Sequence, residues 1–130
     1  MLQLVDNKVK ILLIDDDLDT LNMLQNVLEL HGYECSAHLN PVLALEEYLV
    51  TDYDVVITDY KMPVMNGMKI LKAILMENPA ANIIVYTGQT DDVDIQTDAY
   101  VGGACDFFYK PINWNELNKV LNDLQIKMAV

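Results

Sequence analysis

Arginine is absent from this 130-residue chain, and only eight lysines oppose twenty acidic residues, leaving a net charge of −12. So few cations argue against direct nucleic-acid binding, which needs a basic footprint to displace counterions. They argue equally against docking on an anionic membrane surface. Metal cations and basic protein patches are the partners such a charge admits, and solubility alone explains much of it. Long apolar runs are missing too: nothing approaches the roughly 20 residues that span a bilayer. Residues Met1 to Asp6 show no basic region followed by an apolar stretch, so no secretory signal is expected and the reading is cytoplasmic. Cysteine is scarce. Cys35 and Cys105 lie far apart in no metal-ligand spacing, which fits two free thiols in a reducing compartment.

Repeats, linkers and low-complexity segments are also lacking, and 1–130 reads as a single domain. With 52% apolar and 22% charged residues, the composition is that of a globular chain. Its pattern alternates. Val9 to Ile14 is a buried strand stopped by Asp15-Asp16-Asp17, and Leu18, Leu21, Leu24 and Leu28 recur at helical spacing up to a Gly32 cap. Tyr33 to Ala37 is an edge strand. Asn40-Pro41 opens a helix whose buried stripe is marked by Leu45 and Leu49. Val55-Val56-Ile57-Thr58-Asp59 is β-branched and apolar, as a strand buried on both faces would be. Ile70, Leu71, Ile74 and Leu75 give a third helix, and Ile83 to Thr87 a fourth strand. Asp91 to Val101 is weakly helical, with Val93, Ala99 and Tyr100 as a thin apolar face. Asp106 to Tyr109 is a fifth strand. Asn113 and Glu116 resemble a capping box before the amphipathic Leu117, Val120, Leu121 and Leu124.

Five strands alternating with five helices predict a parallel sheet with helices on both faces. Ligands of such sheets sit outside the carboxyl ends of the strands. Four of the five strands end there in polar groups: Asp15-Asp16, Asp59, Thr87 and Lys110. Gathered carboxylates repel one another and would take up protons unless a cation relieves them. All-oxygen ligands suit Mg²⁺. One carboxylate could then accept a phosphoryl group as a mixed anhydride, with the metal, the Lys110 ammonium and the Thr87 hydroxyl compensating its charge. Asp17 reads as the cap of the first helix rather than as a third ligand. A calcium-loop reading of residues 15–26 fails, because Thr20 and Asn26 stand where Gly and Glu are needed.

Four motifs, in this order and spacing, resemble the receiver domain of two-component response regulators over essentially the whole chain. They are Ile11 to Asp17, Ile57 to Gly67, Val85 to Gly88 and Gly103 to Pro111. The resemblance implies a flavodoxin-like sheet of order 2-1-3-4-5. It implies that Asp59 receives a phosphoryl group from a histidine kinase or phosphotransfer protein. Asp15, Asp16, Asp59 and the backbone carbonyl of Lys61 would hold Mg²⁺, Thr87 and Lys110 would engage the phosphoryl group, and Phe107 would be the switch aromatic. The Lys110–Pro111 bond would be cis. The face formed by the fourth helix, fifth strand and fifth helix would bind a downstream protein, a fused output domain or a second copy. Asn66 stands where Asp is usual, Phe107 lacks the hydroxyl of the usual Tyr, and Lys61 and Gln89 occupy positions that influence phosphate lifetime.

Two alternatives carry other expectations. A receiver-like interaction module would not be phosphorylated at all. Asp17-Leu18-Asp19-Thr20-Leu21 is similar to the nucleophile motif of haloacid-dehalogenase-type phosphatases, but those place the nucleophile at the strand end, two residues earlier. The expectation is therefore a switch rather than a multiple-turnover enzyme. With residues ending at Val130, a stand-alone receiver and a piece of a longer protein both fit. In the implied strand order Cys35 and Cys105 lie on opposite sheet edges, too far apart to pair.

Overall fold

The computed structural model describes residues 8–88 and 94–128. Gln89 and Val93, singled out above, lie outside the described residues. Five parallel strands, β1 (Lys10–Ile14), β2 (Glu34–His38), β3 (Val55–Asp59), β4 (Ile83–Thr87) and β5 (Asp106–Tyr109), form one sheet of order β2-β1-β3-β4-β5. Helices α1 (Leu18–Leu30), α2 (Pro41–Val50), α3 (Gly67–Glu77), α4 (Ile95–Val101) and α5 (Trp114–Met128) follow the strands in turn. Among the described residues no helix is long and apolar enough to cross a membrane.

Strand parity divides the core in two. Ile11, Leu13, Val55, Ile57, Ile84 and Tyr86 pack against Leu21, Leu24 and Leu28 of α1 and Leu117, Leu121 and Leu124 of α5. The alternate residues, Leu12, Ile14, Val56, Ile83, Val85 and Phe107, pack against α2, α3 and α4. Both faces of the central strands are thus covered, which is why β3 and β4 are buried at every position.

Local chemistry fixes where the helices start. Asp17 caps α1 through the Asp19 N–H, Asn40 caps α2 through Val42 and Leu43, and Asn66 caps α3 through Lys69. Gly32 closes α1 at φ +89°, a conformation that glycine adopts without strain. Three expected faces hold only in part. Leu18 is exposed in the first turn of α1. In α2 the buried residues are Pro41 and Ala44, with Leu45 partly buried and Leu49 59% exposed. That helix is apolar nearly all round, so spacing could not choose its face. In α4 it is Ile95 and Ala99 that are buried, whereas Tyr100 is exposed.

Cys35 lies on the β2 edge and Cys105 beside β5 on the other, and both thiols are free. Burial, then the charges of Glu29 and Glu34, push the Cys35 thiol up to about 12, so it is an unreactive thiol at neutral pH. His38 Nε2 meets Glu47 Oε2, because α2 lies over the β2 edge and turns Glu47 toward Ser36 and His38.

Candidate functional site

Strand register sets the site. Ile14 pairs with Thr58, and Asp59 with Tyr86, so the residue after β1 and the last residue of β3 emerge side by side. Thr87 pairs with Tyr109, and the Lys110 N–H donates to the Thr87 carbonyl at 2.7 Å, so Lys110 leaves β5 at the same edge. Parity then decides direction. Asp59 shares the α1/α5 face with Val55 and Ile57, whereas Thr87 shares the opposite face with Ile83 and Val85.

Carboxylate oxygens of Asp15, Asp16 and Asp59 come within 4.8 Å of one another. Asp15 is fully buried and Asp59 is 4% exposed, while Asp16 lies open to solvent. The Lys110 ammonium bridges the two buried carboxylates, 3.1 Å from Asp15 Oδ2 and 3.2 Å from Asp59 Oδ2. Burial first, and then the Asp15 charge, push the Asp59 carboxyl up to about 6, with Lys110 opposing both. Burial works to lower the Lys110 ammonium, but its hydrogen bond to Asp15 and the charges of both carboxylates hold it above its ordinary value.

Among the described residues two buried polar atoms have no hydrogen-bond partner, Asp59 Oδ1 and Thr87 Oγ1. Buried polar groups are nearly always paired, so such a coincidence at one sheet edge marks a place built for something else. Three close carboxylates and one ammonium leave negative charge in excess, and an all-oxygen donor set fits a hard divalent cation of the magnesium type. The residues present therefore fit the metal expected for them. Asp17 is turned away to other work: its carboxylate caps α1 and accepts the Thr20 hydroxyl at 2.6 Å, which holds its carboxyl below the ordinary value.

The loop after β3 holds Asp59 from behind. The Gly67 N–H donates to the Tyr60 carbonyl at 2.8 Å, and a Cβ on Gly67 would stand 2.6 Å from the Asp59 carbonyl oxygen. Lys61 is exposed on this loop, and the neighbouring Val64 takes φ +74°. Phe107 lies inside, 6% exposed, in the α3/α4 cluster with its ring edge-on to Tyr109 at 5.2 Å. The Lys110–Pro111 bond is cis. Beside Lys110 a cleft of about 780 Å³ opens between α1 and the chain after β5, lined by Met23, Leu24, Pro111 and Ile112 among others.

Sequence reasoning missed Tyr86. Its hydroxyl donates to Asp15 Oδ2 at 2.5 Å, and Lys110 Nζ lies 5.0 Å from its ring centroid. Burial, then Asp15, push the phenol far up, so it stays a donor. The available signal was one tyrosine ending a β-branched run, two residues beyond Ile84 and therefore on the face of Asp59.

Residues 11–122 match the family model of the response regulator receiver domain. The transcriptional regulatory protein ZraR of Klebsiella oxytoca is 32% identical over 89% of this chain and 26% of its own length. The C4-dicarboxylate transport transcriptional regulatory protein DctD of Rhizobium meliloti is 35% identical over 78% of this chain and 22% of its own. The chain thus spans about a quarter of the length of the curated relatives it matches. Among solved structures, a response regulator receiver domain protein of Clostridium thermocellum superposes with a TM-score of 0.85 at 32% identity, covering 94% of this chain and 99% of that one. The response regulator TrrA of Thermotoga maritima, solved with Mg²⁺ and BeF, gives 0.79 at 27%, covering 89% and 98%. Fold, acidic pocket and sequence agree: the chain belongs to the response regulator receiver domain family.

Proposed function

We propose that this receiver takes a phosphoryl group on Asp59 from a histidine kinase or histidine phosphotransfer protein. The observation that carries the reading is the state of the Asp59 carboxylate. One oxygen rests on Lys110 and the other is buried with no partner among the described residues, beside Asp15 and Asp16. Asp59 attacks phosphorus, the P–N bond to the donor imidazole breaks, and an acyl phosphate forms while the imidazole leaves. Asp15, Asp16, Asp59 and the Lys61 carbonyl would hold Mg²⁺, which when bound supplies positive charge against the phosphoryl oxygens. Lys110 is already beside the acceptor and pairs with the phosphoryl group as its charge grows. Thr87, buried and without a hydrogen-bond partner among the described residues, turns its hydroxyl to a phosphoryl oxygen.

Output follows from what holds the α4 side down. Among the described residues of the seven-residue α4, Ile95 and Ala99 are the buried ones. A helix held so lightly is the part that a new charge at Thr87 can shift. Phe107 sits inside already, so its switch is a change of packing against α4 and not a swing from solvent. The α4/β5/α5 face then engages a downstream protein, a fused output domain or a second copy. The relatives named transcriptional regulators support regulation of transcription through such an output, and not through this domain touching nucleic acid. The cleft beside Lys110 suits a partner helix bringing its phosphohistidine to Asp59. Cytoplasmic residence goes with a kinase partner.

The test is beryllofluoride with Mg²⁺ in ¹H–¹⁵N spectra. Saturable shifts at residues 15–17, 59–61, 87 and 110, extending to α4 and lost in Asp59→Asn, are expected. Spectra indifferent to beryllofluoride would leave a receiver-like module that is not phosphorylated.

A further inference from the structure

We infer that Tyr86 is a positioning residue of the acidic pocket: its hydroxyl fixes the Asp15 carboxylate, so divalent-cation affinity depends on a side chain that is not a ligand. The inference rests on the reading that this pocket binds a cation.

Three observations converge on Tyr86. Register makes it the Cα partner of Asp59, and parity puts both side chains on the α1/α5 face. Its O–H donates to Asp15 Oδ2 at 2.5 Å, while the Asp17 N–H donates to Oδ1 at 2.9 Å. Asp15 is therefore held at both oxygens. Lys110 Nζ reaches the same Oδ2 at 3.1 Å and stands 5.0 Å from the Tyr86 ring centroid, so one side chain touches both the carboxylate and its counter-ion. The ring is completely buried in the core shared with α1 and α5 and has no room to swing away.

A cation ligand works only in the right orientation, and hydrogen bonds from outside the ligand set supply that orientation. Their loss ordinarily costs about 10- to 100-fold in metal affinity. Without the phenol, Asp15 would keep Lys110, whose long stem lets the ammonium drift toward Asp59. Were Tyr86 only a filler of the core, its ring would matter and its hydroxyl would not. The two roles separate cleanly in Tyr86→Phe, which keeps the ring and removes the donor.

The experiment titrates the metal-free full chain with Mg²⁺ by calorimetry, wild type against Tyr86→Phe, with circular dichroism confirming the fold. The expected result is affinity about 10-fold weaker in the variant. Equal or tighter binding by a folded variant overturns the inference while leaving the proposed function standing; absence of Mg²⁺ binding by the wild type instead removes the reading beneath it. A second measurement needs no variant: the ¹³Cζ resonance of Tyr86 in the wild type should shift along the same Mg²⁺ binding curve. A resonance that stays still as the metal saturates also overturns the inference.

Discussion

Replacing Asp59 by Asn should stabilise the metal-free protein at pH 8, and the gain should shrink as the pH falls. The native carboxyl holds its proton up to about 6 against an ordinary 3.8, because it is buried and faces Asp15. Between those values the folded state binds more protons than the unfolded chain, so stability falls as pH rises through the window. Fully developed, a gap of that size corresponds to about 3 kcal/mol of penalty. About half of it is already present at pH 5 and the rest appears by pH 7. Asparagine removes the charge but also a partner of Lys110, which keeps Asp15 at 3.1 Å, so the net gain at pH 8 should be about 2 kcal/mol. Urea unfolding in EDTA, at pH 5 and pH 8, measures the difference between the two proteins. A variant no more stable than wild type at pH 8, or a gain independent of pH, would refute the argument that crowded charge strains this pocket.

Three further outcomes follow from the same geometry. Lys110→Met leaves Asp15 and Asp59 buried together without a cation, and should cost about 2 kcal/mol in EDTA, partly recovered on adding Mg²⁺; thermal melts with and without the metal check this. Gly67→Ala drives a Cβ to 2.6 Å from the Asp59 carbonyl oxygen and 2.9 Å from Tyr60 Cα, both backbone atoms, and should cost about 2 kcal/mol in urea unfolding. Val64→Gly relieves a β-branched residue at φ +74° on an exposed loop, and should raise stability by about 1 kcal/mol; an unchanged or lower melting temperature would count against strain there.

The parts legible in the sequence were those that depend on strand ends. Parallel strands stop at one edge, so a polar residue after each apolar run says that Asp15, Asp59, Thr87 and Lys110 share that edge before any coordinates exist. Which face each side chain takes is a matter of parity, and which neighbours it meets is a matter of register. Both were open to reasoning for Tyr86, two positions beyond Ile84, but its hydrogen bond to Asp15 also needs the strand pairing of Asp59 with Tyr86. Helix faces were harder to read. Spacing picks a face only when the other face is polar, and in α2 Leu43, Leu49 and Val50 are exposed although as apolar as anything beneath them. The His38–Glu47 contact depended on that same rotation and could not be read without it.

The most direct test of the central claim is to phosphorylate the full chain with acetyl phosphate and Mg²⁺, trap the acyl phosphate with borohydride, and map the modified residue by mass spectrometry. One phosphoryl group per chain is expected, reduced at Asp59 alone and absent in EDTA. Modification elsewhere, or none while the fold is intact, would contradict the claim that this pocket exists to load Asp59.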